Sequence, residues 1–232
     1  MSSAAELSQL DFRDLTTAAD LAVLPAFEHR IWGSGGDAVS VNMLVATITE
    51  GGMAIGAFAG DRIVGAVYGF PTRDPAVLHS HYMAVDPDYR RLGLGAELKH
   101  RQRAWCLERG IAHVRWTFDP LQVGNAHLNL HVLGAVGVVY HVDHYGHLGG
   151  INGSLPSDRI TVSWELEPAS PKPQPTVAVD VPPVTADDIA SSSDAALAAR
   201  LFVRDELAPR VGAGWSIVDI DRTNRRYLLA QT

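Results

Sequence analysis

The sequence predicts an α+β (α/β) protein: a central sheet flanked by helices, followed by a small αββ appendage. Three observations carry this. Strand-like runs and helix-like periodicity follow one another in the order βααβββαβαββ over residues 10–166. A stretch from Glu167 to Pro183 then holds six of the 13 prolines, the composition of an extended linker. Between the two lies one turn of unusual chemistry, Arg90-Arg91-Leu92-Gly93-Leu94-Gly95-Ala96, which joins a strand to a helix. The expected domains are 1–168, a linker 169–183, and 184–232.

Taken in order, Leu10-Asp11-Phe12-Arg13 reads as a short first strand. Thr16 or Thr17 caps a helix from Ala18 to about Trp32, with Asp20 in its first turn. A second helix begins at Asp37 or Ser40 and ends before Gly51-Gly52. Met53 to Phe58 and Ile63 to Phe70 form a hairpin around Gly60-Asp61, and Val77 to Val85 is the next strand. The helix after the glycine turn runs from Gly95 to Glu108, with Leu94, Leu98 and Trp105 on one face. Ala112 to Phe118 is a strand, and Asn125 to Leu133 a helix for which Asn125 is a good cap. Val136 to Tyr140 and Ile160 to Leu166 complete the first domain. Beyond the linker, Asp187 to Val211 reads as one or two helices, and Trp215 to Asp219 and Arg226 to Ala230 as strands. That appendage is too short for a core of its own and should pack on the main domain or on a neighbouring subunit, which makes a homodimer one expected assembly.

Composition excludes several classes. A chain of 232 residues that is 47% hydrophobic and 19% charged can bury a proper core. Its formal net charge of −7 argues against nucleic acid as a partner, because phosphate neutralisation needs a basic surface. Cys106 is the single cysteine, so no internal disulfide framework exists. The start, Met1-Ser2-Ser3-Ala4-Ala5-Glu6, lacks the basic and apolar regions of a signal peptide, and no apolar run approaches the ~20 residues of a membrane span. A cytoplasmic, soluble protein with no membrane partner is the expectation.

The turn from Arg90 to Gly95 reads R-x-x-G-x-G. Two glycines let the backbone turn tightly and approach a ligand. The helix that follows leaves its first N–H groups without intrahelical partners, and with the positive end of its dipole they suit a phosphate. Arg90 and Arg91 add charge and forked donors. A pyrophosphate cradle is the expected role, with an ordinary tight turn as the structural alternative. The dinucleotide fingerprint fails, since its third glycine would be Leu98, and the Gly-Lys-Ser/Thr ending of a P-loop is absent.

The wider stretch resembles the GCN5-related N-acetyltransferase (GNAT) superfamily, whose loop reads V-x-P-x-x-R-x-x-G-x-G/A. Val85, Pro87, Arg90, Gly93 and Gly95 match it in register. The resemblance continues through Trp116-Thr117-Phe118-Asp119-Pro120-Leu121, Asn125-Ala126-His127-Leu128-Asn129, Leu133-Gly134-Ala135 and Ser157-Asp158-Arg159, and looks like a bacterial subgroup of acetyltransferases. It implies a mixed, mostly antiparallel central sheet. It also implies an acyl-CoA-dependent N-acyltransferase, with acetyl-CoA or succinyl-CoA as donor, acting in a ternary complex on a small-molecule amine such as an amino acid. Carried over residue by residue, it assigns Arg90, Arg91, Leu92, Gly93, Leu94, Gly95 and Ala96 to the donor's pyrophosphate. Met83, Ala84 and Val85 go to its pantetheine arm, and an amide near Val85 to the developing oxyanion. Asn125 and Asn129 fall on the helix that faces the donor.

The catalytic groups follow less directly. The position of the histone-acetylating members' glutamate, six residues before Val85, is His79, with an ordinary pKa suited to a base; His81 shares its face. An ordered water or a merely structural histidine is the alternative. The tyrosine that often protonates the departing thiolate falls on Leu130, which leaves Tyr140 and Tyr145 as substitutes, or as packing residues. Arg159 opens the strand that borders the acceptor pocket in this fold, where it could clamp a substrate carboxylate or pair with Asp158. His127 and His131 at i, i+4, followed by His141, His144 and His147, raise a metal site. The glutamate of H-E-x-x-H is missing, so no metal is expected. The competing function is a non-catalytic acyl-CoA sensor, which the absent helix tyrosine favours.

Overall fold

The structure, a computed structural model, describes residues 6–33, 38–146, 148 and 153–232. It divides into two compact units, Met1–Val114 and Arg115–Thr232. This division differs from the expected 1–168, 169–183 and 184–232.

In the first unit, β1 (Asp11–Asp14), β2 (Met53–Ala59), β3 (Arg62–Pro71) and β4 (Val77–Val85) pair antiparallel in chain order. The expected single helix from Ala18 is two, α1 (Ala18–Leu21) and α2 (Val23–Trp32). Pro25 explains the break, because it has no N–H to give the carbonyl of Leu21. Thr17 caps α1 in a box with Asp20, and Ser40 caps α3 (Val41–Thr49). Leu21, Leu24, Phe27 and Leu44 from these helices pack on Ala54, Phe58, Ala66, Tyr68, Tyr82 and Ala84 of the sheet. On the other face lies α4 (Leu94–Leu107), whose Leu94 and Leu98 come so close to Gly65 that a Cβ there would sit about 3 Å from them. The buried face of α4 is Leu94, Leu98, Lys99, Gln102 and Cys106; Trp105, expected on it, is half-exposed.

The pairing of β3 with β4 slips by one residue. Tyr68 faces Tyr82 and Gly69 faces Ser80, so His81 is an extra residue on β4. The bulge has a geometric consequence: His79 and Tyr82, three apart, come to the same face as Tyr68 and Phe70. Gly69 permits it, since a Cβ there would meet the carbonyl oxygen of His79 at 2.8 Å.

In the second unit, β5 (His113–Phe118), which begins at the division, lies beside β7 (Arg159–Glu165), and the order continues through β6 (Val136–His141), β9 (Trp215–Asp221), β10 (Arg226–Gln231) and β8 (Val177–Asp180). The C-terminal strands therefore continue this unit's sheet, with Gly137 opposite Ile217. β8 lies inside the expected linker; its four residues contain no proline and pair with β10, while the prolines flank it. The helices are α5 (Val123–Ala126), α6 (Ala186–Ala190) and α7 (Asp194–Leu207). After α5 the chain widens into a π-helical turn, His127–Val132, closed by Leu133 N–H to the Leu128 carbonyl at 2.9 Å. Asn125 is inside α5 and exposed rather than capping it; the cap position is Gln122.

Among the described residues no helix is long and apolar enough to cross a membrane.

Candidate active site

The glycine turn is built on a fixed acid. Asp86 ends β4, caps the 3-10 turn Pro87–Tyr89 by accepting from the Asp88 amide at 3.2 Å, and receives Arg62 at 2.7 Å and Arg30 at 3.5 Å. Burial pushes its carboxyl up, but Arg62, the Asp88 amide and Arg30 outweigh that and hold it below the usual range. The chain then enters the left-handed region twice, at Arg91 (φ 65°) and Gly93 (φ 93°), before α4 starts at Leu94. The second position needs glycine, because a side chain there would be strained. The first intrahelical bond of α4 is Glu97 N–H to Gly93 O at 3.0 Å. Among the described residues nothing accepts from the amides of Leu94, Gly95 or Ala96. Arg90 and Arg91 are exposed, and Arg90 Nε donates to the Val85 carbonyl at 3.3 Å. A run of amides at a fourteen-residue helix start, an exposed left-handed glycine and two arginines fit a pyrophosphate.

Met83, Ala84 and Val85 lead into this turn, paired with Val67, Ala66 and Gly65; Ala84 is buried and its neighbours half-buried. His79 and His81, 6.1 Å apart between ring centres, join an aromatic group on β4's helix-α2 side. His79 lies 4.9 Å from Phe70, and His81 lies 5.8 Å from Tyr68. His81 is exposed on one side and packed on rings on the other, and that desolvation lowers its pKa. On the opposite face Lys99 is buried, donating to Gln102 at 2.7 Å and Ser80 at 3.1 Å, and burial brings its ammonium down to about 7.

In the second unit Arg159 is 9% exposed at the start of β7. It does not pair with the carboxylate of Asp158. Its Nη1 donates to the Asp158 main-chain oxygen at 2.8 Å, its guanidinium lies 5.5 Å from the Tyr145 ring centre, and Asp119 is 4.0 Å away. Asp119 belongs chiefly to Arg200, which grips it with two bonds of 2.7 and 2.8 Å. Asp158 belongs to Arg204 at 2.7 and 2.9 Å, and also accepts from Tyr140 at 2.7 Å. Burial, then Asp158, raises the Tyr140 phenol well above its ordinary range, so Tyr140 is committed to this network rather than facing outward as an acid. Tyr145 is exposed and within 3.0 Å of Thr117 Oγ1. Leu130, at the position of the missing tyrosine, is buried, as is Asn129.

His127 and His131 stack at 4.9 Å, and His131 bonds Asp219 at 3.1 Å. Among the described residues no group of three or more His, Cys, Asp or Glu is placed to hold a metal; His147 lies outside the described residues.

Sequence reasoning missed Glu28, Lys99, Asp119, Arg200 and Arg204. Glu28 left a readable signal: it is one turn after Leu24 in an otherwise apolar stripe, so it had to be buried.

Residues 25–135 match the model of the acetyltransferase (GNAT) family. The chain contains a GNAT acetyltransferase domain. Solved structures agree in fold. The ribosomal-protein-S18-alanine N-acetyltransferase of Escherichia coli superposes with a TM-score of 0.57 at 19% identity, covering 69% of this chain and 96% of that one. The acetyltransferase yncA of Salmonella typhimurium, solved with acetyl-CoA, gives 0.55 at 16% identity, with 71% and 98% covered. A GNAT-family acetyltransferase of Streptococcus pneumoniae gives 0.55 at 18%, with 66% and 98% covered. No curated protein matches the chain in sequence. Nearly all of each structural neighbour is thus matched by about two thirds of this chain.

Proposed function

We propose that this protein is an acyl-CoA-dependent N-acyltransferase that acts on the amine of a small molecule by direct transfer in a ternary complex. The observation that carries the reading is the unfilled amide row at the start of α4, beside Arg90 and Arg91 and inside the GNAT-matched residues. When bound, acetyl-CoA or succinyl-CoA supplies an acyl group activated as a thioester. The chain's own residues do the rest. The amides of Arg91 to Ala96 hold the pyrophosphate, and Met83, Ala84 and Val85 hold the donor's arm. His79 receives the proton of the amine, and of the two candidate tyrosines Tyr145, which is exposed where Tyr140 is buried, is the proton donor.

Arg159 supports an acidic substrate. Asp119 is already satisfied by Arg200, so the buried Arg159 has a main-chain oxygen and a distant carboxylate, short of a full counter-charge. A carboxylate on the amine or on the donor would complete it. Arg159→Ala should lower kcat/KM for the carboxylate-bearing partner by about 10–100-fold, and Arg159→Lys should be impaired too, because it keeps the charge but loses the fork. Full activity of Arg159→Ala with every donor and acceptor would make the residue structural.

The deciding experiment mixes the protein with acetyl-CoA or succinyl-CoA and a panel of amines and follows free thiol. Calorimetric binding without thiol release favours the alternative, a non-catalytic acyl-CoA sensor. Leu130 at the usual tyrosine position and the commitment of Tyr140 to Asp158 are the observations behind that alternative.

A further inference from the structure

Helix α7 carries Arg200 and Arg204 one turn apart, and each forks an acid that neighbours Arg159. Arg200 holds Asp119 at 2.7 and 2.8 Å, and Arg204 holds Asp158 at 2.7 and 2.9 Å. Among the described residues Asp119 is the nearest carboxylate to Arg159, at 4.0 Å. Asp158 precedes Arg159 in the chain, yet Arg159 meets only its main-chain oxygen, at 2.8 Å. Three arginines thus share two carboxylates, and Arg159 is the one left over. Their proton affinities agree. The bond to Asp158 raises the pKa of Arg204. Burial works against Arg200, but Asp119 outweighs it and the pKa is raised. Burial lowers Arg159, and Asp119 does not offset that.

The two arginines compete for one atom. Asp119 Oδ2, which accepts Arg200 Nη2 at 2.8 Å, is the same oxygen that lies 4.0 Å from Arg159 Nη1. The other oxygen, Oδ1, is pinned by the Leu121 amide at 2.8 Å, so the carboxylate is held in place. Arg200 is 2% exposed and spends both terminal nitrogens on Asp119, while its own Nε stays buried with no partner among the described residues. Without Arg200, Oδ2 would be a buried unmatched charge, and Arg159 is the cation a small shift away. On its other side, the Arg159 guanidinium lies 5.5 Å from the ring centre of Tyr145, which is 48% exposed. The charge that Arg200 leaves unmatched therefore sits just under the surface.

We propose that Arg200 is a positioning residue for the substrate carboxylate: by holding Asp119 it keeps that acid off Arg159 and leaves the Arg159 cation to a carboxylate from solution. This role rests on the reading of Arg159 as an acid-binding residue, and Arg200, buried behind Asp119, acts only through that pair. Arg204 does the same at Asp158 to a smaller extent, because Asp158 also accepts from Tyr140 at 2.7 Å and from the Asp143 amide at 3.0 Å. Helix α7 lies beyond the family-matched residues 25–135, so the selectivity is supplied by a segment outside them. Buried ion pairs contribute little net stability and can serve instead to fix which groups pair.

The test uses the full chain and two probes of nearly equal shape, propionate and neutral propionamide. Binding is followed through the Arg159 Nε–H resonance, identified by its loss in Arg159→Lys. Wild type should bind propionate about tenfold or more tightly than propionamide. Arg200→Met should cut that preference by about fivefold or more. Its Arg159 resonance should sit, before any probe is added, close to where propionate moves it in wild type. Adding Asp119→Asn to Arg200→Met should restore the preference, because no carboxylate then remains for Arg159 to take. A merely structural Arg200 would not be rescued by removing the acid. Arg200→Lys keeps the charge but loses the fork, so it should show a partial loss, and it decides the matter should Arg200→Met fail to fold. An unchanged preference in whichever of these two variants folds, or no recovery on adding Asp119→Asn, overturns the positioning role and leaves the acid-binding reading of Arg159 standing. Equal binding of the two probes by wild type overturns that reading and the positioning role with it.

Discussion

In the unit Met1–Val114, the buried ionisable groups Glu28 and Lys99 are each driven by desolvation to a pKa of about 7; Glu28 accepts from the Val39 amide, and Lys99 donates to Gln102 and Ser80. In Arg115–Thr232, Asp119 and Asp158 are each gripped by an arginine fork from α7, and Tyr227 reaches back to the Pro120 carbonyl at 2.7 Å. Both arrangements cost desolvation. Matched charge recovers it at Asp119 and Asp158, as it does in the first unit at Asp86, which Arg62 and Arg30 hold, whereas among the described residues no Lys or Arg pairs with Glu28. The difference separates groups that hold the fold from groups left poised near neutrality, and it explains why the C-terminal segment is part of its unit rather than an ornament. Arg159 stands apart within the second unit, close to two well-matched pairs but itself only loosely paired.

The largest way to break this contrast is to open one of the matched pairs. Asp119→Ala leaves Arg200 buried without its carboxylate and should cost about 3–5 kcal/mol in urea unfolding. Asp119→Ala combined with Arg200→Met should recover much of that loss, because Arg200 is then no longer buried without its carboxylate; the part not recovered reports Arg159, which also lies 4.0 Å from Asp119. If the double variant is as unstable as the single one, the fork is not what stabilises this unit.

The second way tests the glycine turn. Gly93→Asp and Gly95→Asp should each weaken CoA binding by about 100-fold or more, since a carboxylate beside the free amides would occupy the anion site and repel the pyrophosphate. The chain should remain folded. Gly93→Asp should additionally lose about 1 kcal/mol of stability from the left-handed backbone. Wild-type affinity in either variant would place the cradle elsewhere.

The third concerns pH. The Glu28 carboxyl titrates at about 7 when folded against an ordinary 4.5, so between those values the folded state holds a proton that the unfolded state has lost. Its stabilising contribution is full below 4.5 and is lost as pH rises toward 7, a change on the order of 2–3 kcal/mol. Lys99 has the opposite sign. Its folded value of about 7 lies below the ordinary 10.5, so its contribution is full above 10.5 and is lost as pH falls through 7. Stability of the first unit should therefore pass through a minimum near neutrality. Glu28→Gln should flatten the acid side of that curve, and Lys99→Met the alkaline side, in denaturant melts taken from pH 5 to pH 10. A curve of unchanged shape in both variants would show that neither group titrates as its burial implies.

The smallest expected effect is at His79. Removing it as His79→Ala should lower kcat/KM by about tenfold or more and erase an ionisation near neutrality from the pH–rate profile. An unaltered profile would assign the proton to water or to another group.

Much of this was readable in the chain. Thr17 and Ser40 as caps, the β2–β3 hairpin around Gly60-Asp61, β4 over Val77–Val85 and the turn at Arg91–Gly93 all follow from short-range chemistry: a hydroxyl next to free amides, a glycine where φ is positive, an apolar run between breakers. Two departures had local causes that were available, the break before Val23 from Pro25 and the proline-free run Val177–Asp180 inside the proline-rich stretch. Strict alternation along β4 would place His79 and Tyr82 on opposite faces. Only the pairing with β3, slipped at His81, brings them together, and a slip of register is a property of two strands rather than of one.

The sequence by itself therefore determined the glycine turn, the order of the elements and the family, because each rests on residues adjacent in the chain. Tertiary structure alone decided which charges are matched and which are left wanting. Arg200 finds Asp119 81 residues away, and Arg204 finds Asp158 46 residues away. Glu28 meets Tyr82 only where α2 lies on the sheet. The balance between desolvation and pairing is set by what folding brings within a few ångströms, and no local pattern records it.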